Sequence, residues 1–192
     1  MASRAGKVEQ ILAVAQRLAQ ERGYNAFSYA DIAAEVGIRR AAIHYHFPSK
    51  SDLGQRLVSR YREAYRQCFQ QIDRETTDPR EKLKRYIQLD WEMLQAERMC
   101  LCGMLSAELK TLPDPITEEV RAFFAEHEQW LAGILQTGAE SGVLRYAGTS
   151  AAAAQVLLAG LEGAMLIARS QGDQASFQVI AQQLLKGLGV DA

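Results

Sequence analysis

The sequence is short of what a secreted, membrane-spanning or catalytic protein needs. Three cysteines in 192 residues, an odd number, do not make a disulfide framework. No apolar run approaches the roughly 20 residues that a bilayer span requires. The opening MASRAGKVEQ has no apolar signal core, so the chain is expected to be cytoplasmic, with no membrane partner. A Gly-rich phosphate loop, a nucleophile–base pairing and a ligand-spaced metal cluster are all missing. An enzyme is therefore not expected, and no cofactor or metal is called for. Only four prolines occur, and each falls at a break between helical stretches. No strand-period segment, low-complexity tract or internal repeat competes with the helical periodicity, so the fold class is all-α.

What is present can build a core and a charged end. The length suits one small headpiece plus one ligand-sized helical domain. Hydrophobic residues make up 48% of the chain. Net charge is −1, but unevenly spread. Up to Arg66 there are eleven Lys/Arg against six Asp/Glu, and beyond it eleven against seventeen. A basic headpiece on an acidic body fits an end that faces phosphate.

The stretch FSYADIAAEVGIRRAAIHYHFPSKSDL, from Phe27, organises the rest. Ser28 and Asp31 have the spacing of a reciprocal capping box, with Phe27 and Ile32 placed for a hydrophobic staple. Ala30, Ile32, Ala33 and Val36 recur at helical spacing. Gly37 tolerates positive φ and ends that helix in a sharp turn. A second short helix, Arg40 to His46, has Ile43 and Phe47 as inward anchors. Small residues at Ala33, Ala41 and Ala42 let the two helices approach closely. This is the pattern of a helix-turn-helix, whose second helix enters the major groove.

Other helices follow from stripes and breaks. The first is expected from about Arg4 to Arg22, stopped by Gly23. Ser49 and Asp52 form a second capping box, opening a long helix to about Asp73 that links headpiece to body, rising about 1.5 Å per residue. Asp78–Pro79 with Glu81 opens another, reaching about Arg98. Met99–Cys100–Leu101–Cys102–Gly103 is expected to interrupt it before a short helix from Met104 to Leu109. A long helix follows Pro115 to about Ser141, and two close the chain, about Ser150–Gln171 and Asp173–Leu188. Domains are expected at 1–48, extending through the linking helix to about 66, and at 49–192.

The run from Phe27, preceded by ERGYNAF, resembles the DNA-binding domain of the tetracycline-repressor (TetR) family of transcriptional regulators. The resemblance covers roughly the first third of the chain. It implies a three-helix headpiece, a C-terminal helical domain for ligand binding and dimerisation, and about nine helices in all. One departure is Arg39, where the family often has a small polar residue that would cap the recognition helix. DNA contacts are expected from Arg39 and Arg40 at the start of that helix, and from Ala41 and Ala42 against thymine methyls. His44 lies to the side. Tyr45 and His46 occupy the end, where the family commonly places aromatic or histidine side chains near phosphates. Ser28, Tyr29 and Lys50 lie at helix N-termini, where phosphate oxygens are favoured. His44 and His46 are two apart and do not face each other, so they do not make a metal pair.

One recognition helix reads only a few base pairs, so a helix-turn-helix protein is expected to pair on a palindromic double-stranded operator. By resemblance, the last two helices join their mates in a four-helix bundle. Val156, Gly160, Gly163 and Ile167 mark one face, with Phe177, Ile180 and Leu184 on the last helix. The resemblance also implies a small-molecule effector, not identified by the sequence, whose binding moves the headpieces apart. Tyr86, Trp91, Met104, Phe123 and Phe124 are aromatic or sulfur candidates for its pocket, as are Trp130 and Met165. Asp90, His127 and Glu162 are the polar ones. Some similar regulators place a cysteine just before a short helix, as Cys100 stands here, so release by oxidants or electrophiles through Cys100 or Cys102 is the alternative. The leading expectation is a one-component homodimeric repressor. A helical adaptor that no longer binds DNA is a further alternative, against which the arginine-rich turn argues.

Overall fold

Local capping chemistry sets the helix ends in the computed structural model, which describes residues 4–190. Nine α-helices and no strand occur among the described residues: α1 Arg4–Arg22, α2 Tyr29–Val36, α3 Arg40–His46, α4 Lys50–Glu75, α5 Pro79–Gln95, α6 Leu101–Ala107, α7 Asp114–Glu140, α8 Ser150–Gln171 and α9 Ala175–Gly187. A single 3-10 turn, Leu109–Thr111, lies between α6 and α7. At α2, the Ser28 N–H donates to the Asp31 carboxylate at 2.7 Å while the Ser28 hydroxyl accepts from the first turn. Gly37 ends the helix in the left-handed region, φ 67°. At α4, the Ser49 N–H donates to Asp52 at 2.9 Å and the Asp52 N–H donates back to the Ser49 hydroxyl at 3.1 Å.

Three local expectations fail for identifiable reasons. Asp78 caps α5 by accepting from the Arg80 N–H, but Glu81 does not complete a box. The Asp78 N–H goes to the Thr76 hydroxyl instead, and Glu81 accepts from Arg85. Helix α5 stops at Gln95, short of Arg98. The Arg98 N–H reaches back to the Met93 carbonyl and the Glu97 N–H to that of Leu94, which is a Schellman end. Glu97 takes the left-handed position usually given to glycine, φ 57°. Residues 101–103 are helical rather than a break, because the Cys100 sulfur accepts from the Gly103 N–H at 3.4 Å and starts α6 early. The apolar-run expectation also needs amendment. Taken whole, α8 is long and apolar enough to cross a membrane by length and composition, with mean hydropathy 1.7. It nonetheless carries Glu162 and Arg169, and 44% of its apolar window is buried within the chain.

The chain divides into two compact units. The first takes in the chain up to Ala64 together with Cys100–Phe123, a segment that the sequence reading groups with the body. Its core includes Ile11, Leu12, Leu18, Ile32, Ile43, Leu53 and Leu57, all fully buried. The Glu108 carboxylate clasps the α1–α2 connection, accepting from the backbone N–H of Tyr24 at 2.9 Å and of Asn25 at 3.2 Å. The Asn25 amide donates to the Thr111 hydroxyl at 2.8 Å. Gly23 is required there: its φ is 94°, and a Cβ would stand 2.6 Å from a Glu108 oxygen.

The second unit comprises Tyr65–Met99 and the chain from Phe124 onward. Helices α8 and α9 form its main pair, with α5 packed on both. Gly160 permits the approach of α8 to α9, since a Cβ there would meet the Leu184 methyls at 2.8–2.9 Å. Trp91 of α5 stacks on Phe177 of α9, centroids 6.1 Å apart. The Gln174 amide donates to the Leu94 carbonyl at 2.9 Å.

Candidate functional site

Helix α3 is held by its apolar side and shows its polar side to solvent. Ile43 is fully buried and Phe47 nearly so. Arg39, Arg40, Ala41, His44 and Tyr45 are exposed, Tyr45 at 68%. Ala42 and His46 are half-buried. Arg39 occupies the N-cap but makes no side-chain cap bond, and the first turn is tightened by the Ala42 N–H reaching the Arg39 carbonyl at 2.9 Å. Neither Arg39 nor Arg40 joins an ion pair among the described residues. Other arginines of this unit do: Arg17 binds Glu21 and Glu35, Arg60 binds Glu9, and Arg62 binds Glu119. Two uncompensated guanidiniums beside a small exposed alanine are what a groove with phosphate rims receives.

Two of the expected phosphate contacts are engaged elsewhere. Tyr29 is buried, and its hydroxyl donates to the Phe47 and Ser49 carbonyls at 2.9 and 2.6 Å. Burial pushes its phenol up to about 12. It therefore fixes α2 to the α3–α4 connection rather than facing a duplex. The half-buried Lys50 ammonium donates to the carbonyls of Tyr24 (2.6 Å) and Phe27. It also lies over their rings, 4.5 and 4.3 Å from the centroids. Burial lowers its pKa. Ser28 remains exposed at the start of α2. His44 keeps its Nδ1 3.4 Å from the Pro48 carbonyl and its ring edge against Tyr29, 4.7 Å away. His46 packs edge-on to Tyr45 at 5.1 Å.

The expected effector residues do not form one set. Within the second unit, Tyr86, His127 and Trp130 come together with Tyr65 and Phe69 of α4. Phe69 stacks on Trp130 at 4.2 Å and meets His127 at 4.9 Å, and Tyr65 meets His127 at 4.8 Å. The Trp130 indole donates to Asp73 at 3.0 Å, and Asp73 pairs with Lys82 at 2.5 Å. Tyr65, Phe69 and Asp73 were missed as site residues. Their α4 stripe signals only an inward face, and nothing in its period distinguishes a link from a wall. Two clefts of about 320 and 350 Å³ flank Trp130, the first touching Lys82 and Thr137, the second Arg66 and Glu126. Trp91 lies apart, on Phe177. Phe124 is half-buried, and Met165 is fully buried in the core. Met104 and Phe123 fall in the first unit, where Phe123 stacks on Tyr61 at 5.4 Å.

Asp90 is buried, 8% exposed, and burial first, then the like charge of Glu162, raises its pKa well above the usual carboxylate range. Cys100 and Cys102 are both buried, at 2% and 0% exposure. A sensing thiol needs access to its oxidant or electrophile, so this burial counts against both as reactive sites. Of the expected pairing residues, Val156 and Ile167 are exposed, joined by Leu166 and Val179, which the sequence reading did not single out. Gly163 and Ile180 are half-buried, and Gly160 and Leu184 pack on each other. Phe177 is buried against Trp91 and so does not present a ring to a partner.

Two family profiles match the chain: "Bacterial regulatory proteins, tetR family" over residues 11–57 and "Tetracyclin repressor-like, C-terminal domain" over residues 79–184. A TetR-family regulator from Agrobacterium tumefaciens is 41% identical in its crystal structure, covering 97% of this chain and 99% of that one, with a TM-score of 0.93. A regulator from Saccharomonospora viridis, solved in complex with choline, is 27% identical over 95% of each chain, TM-score 0.82. The transcriptional repressor DhaR of Mycobacterium sp. (strain GP1) is 27% identical over 150 residues, 76% of this chain and 74% of that protein. With an exposed arginine-led helix behind a glycine turn and both halves matched, the chain belongs to the TetR family of DNA-binding transcriptional regulators and is not an enzyme.

Proposed function

We propose that the protein is a homodimeric one-component repressor. Two copies of α3 read a palindromic operator, and a small-molecule effector bound by the helical body releases it. The observation that carries this reading is the pair Arg39–Arg40, exposed and without ion pairs at the head of a helix whose opposite side is locked by Ile43 and Phe47. Arg39, Arg40, Ala41, Ala42, His44 and Tyr45 are the groove-facing set, with His46 and Ser28 toward the backbone. Tyr29 and Lys50 act behind them as positioning residues. The exposed apolar side chains of α8 and α9 support self-pairing, because a monomer gains nothing by leaving Val156 65% exposed. A body domain that takes a small molecule is supported by the choline found with the S. viridis relative. The effector must bind the DNA-incompetent state better, since equal affinity for both states shifts nothing. Such a regulator works in the cytoplasm, where its operator is.

In a mobility-shift titration at fixed salt, Arg40→Ala is expected to weaken operator binding by about 1–3 kcal/mol if the contact is to a base edge. Unchanged affinity removes Arg40 from the interface.

A further inference from the structure

The connection between α1 and α2 is gripped by opposite charges from two distant parts of the chain. The Glu108 carboxylate, at the end of α6, accepts from the N–H of Tyr24 at 2.9 Å and of Asn25 at 3.2 Å. The Lys50 ammonium, at the start of α4, donates to the Tyr24 carbonyl at 2.6 Å and to that of Phe27. Tyr24 thus gives its N–H to an anion and its carbonyl to a cation, and its hydroxyl donates to the Lys50 carbonyl at 2.5 Å. Hydrogen bonds to ionised groups are roughly twice as strong as neutral ones. Burial disfavours the Lys50 cation, and the Glu108 charge offsets part of that. The grip continues to the reading helix. The Tyr29 hydroxyl holds the Phe47 and Ser49 carbonyls at the exit of α3, immediately before Lys50. Glu108 itself belongs to the segment Cys100–Phe123, whose flanks in the chain lie in the second unit. That segment is tied to α4 as well, by the Arg62–Glu119 pair at 2.5 Å and the stack of Tyr61 on Phe123. Tying a loop needs no carboxylate, since the Thr111 hydroxyl already takes the Asn25 amide at 2.8 Å. A carboxylate in the unit that faces a polyanion opposes DNA binding by its charge alone.

We propose that Glu108 is a positioning residue for operator reading. It holds the α1–α2 connection and, through Lys50 and Tyr29, the exit of α3, in the pose that α3 needs in the groove. This rests on the reading of the protein as an operator-binding regulator and adds a residue that acts on the operator without contacting it. Charge and pose predict opposite signs. By charge alone, deleting the carboxylate strengthens binding to any duplex. By pose, it weakens the binding that depends on base edges and spares the binding that depends only on phosphates.

The test is a mobility shift of the full chain at fixed salt on two probes: the duplex that the parent enriches from a random pool, and a scrambled duplex of the same length and composition. Glu108→Ala, checked for parental helicity and for melting well above the assay temperature, is expected to bind the enriched duplex about tenfold more weakly, the worth of one charged hydrogen bond. It binds the scrambled duplex as tightly as the parent or tighter. Glu108→Asp keeps the charge but falls one methylene short of the two N–H groups, and shows the same selective loss. It carries the test alone if Glu108→Ala fails the folding check. Parental affinity for the enriched duplex in these variants, or an equal fall on both probes, overturns the proposal. The first result leaves the regulator reading standing and makes Glu108 a loop tie only. If the parent enriches no duplex, the regulator reading falls and takes this role of Glu108 with it.

Discussion

Burial disfavours the ionised form of the Asp90 carboxyl. In the unfolded chain its carboxyl titrates near its ordinary value of about 3.9. In the fold, desolvation and then Glu162 raise it. The native state therefore keeps a proton that the unfolded chain has lost, so stability falls as pH climbs above the ordinary carboxylate range. It levels off only beyond the raised value. Asparagine has nothing to ionise. Asp90→Asn is thus expected to melt above the parent at pH 7–8, with the gap closing toward pH 4. A gap that does not change with pH contradicts the burial argument. At this scale the sequence was legible where a residue's role is set by its immediate neighbours, as at Ser28 with Asp31 or the glycine at 37. It was illegible where the partner is distant in the chain. Tyr29 stands at a helix start, as a phosphate contact would, but its hydroxyl is taken by carbonyls 18 and 20 residues away. Lys50 reads as a surface cation until Tyr24 and Phe27 close beneath it.

Among elements, α4 carries a close packing contact near its start and, like α7, has residues in both units. Its early residue Gly54 is buried, and a Cβ there would meet the Tyr24 ring and hydroxyl at 2.9 Å, as well as an Ile116 methyl. The Ile116 end can swing away. The Tyr24 ring cannot, because its hydroxyl donates to the Lys50 carbonyl at 2.5 Å and its own N–H is bound by Glu108. Alanine improves helix propensity by about 1 kcal/mol over glycine. Overpacking against a pinned ring costs about 1–3 kcal/mol. Gly54→Ala is accordingly expected to lower the denaturant midpoint despite its better propensity, and a raised midpoint shows that Tyr24 yields. Helix existence was readable from stripes and caps, and α8 ends at the residues its pattern gives. The ends of α5 and α6 were not, because Glu97 adopts a glycine-like backbone and a cysteine sulfur does the work of a cap. Nor did the sequence reveal that Cys100–Phe123 folds with the headpiece, since Glu108 and Thr111 bind residues more than 80 positions earlier.

For the molecule as a whole, the proposed self-pairing through α8 and α9 would turn a weak reader of a few base pairs into a specific one. Ile167 is 46% exposed on the single chain, so a charge there changes the chain's own stability by no more than about 0.5 kcal/mol. Buried without a partner charge in a dimer face, it becomes strongly unfavourable. Ile167→Glu is expected to halve the mass seen by light scattering at micromolar concentration while melting nearly as the parent does. A variant that stays paired moves the interface elsewhere. The family was legible from one 27-residue run, because headpiece chemistry is local, and the all-α architecture from helical periodicity along the whole chain. The region proposed for an effector was only partly so, because it depends on which faces of α4, α5, α7 and α8 meet. The most direct measurement of the central claim is selection of bound duplexes from a random pool by the purified protein. An enriched palindrome, bound by the parent and lost by Arg40→Ala, is the predicted result. A pool that stays random, or a motif without two-fold symmetry that Arg40→Ala binds equally well, contradicts the account.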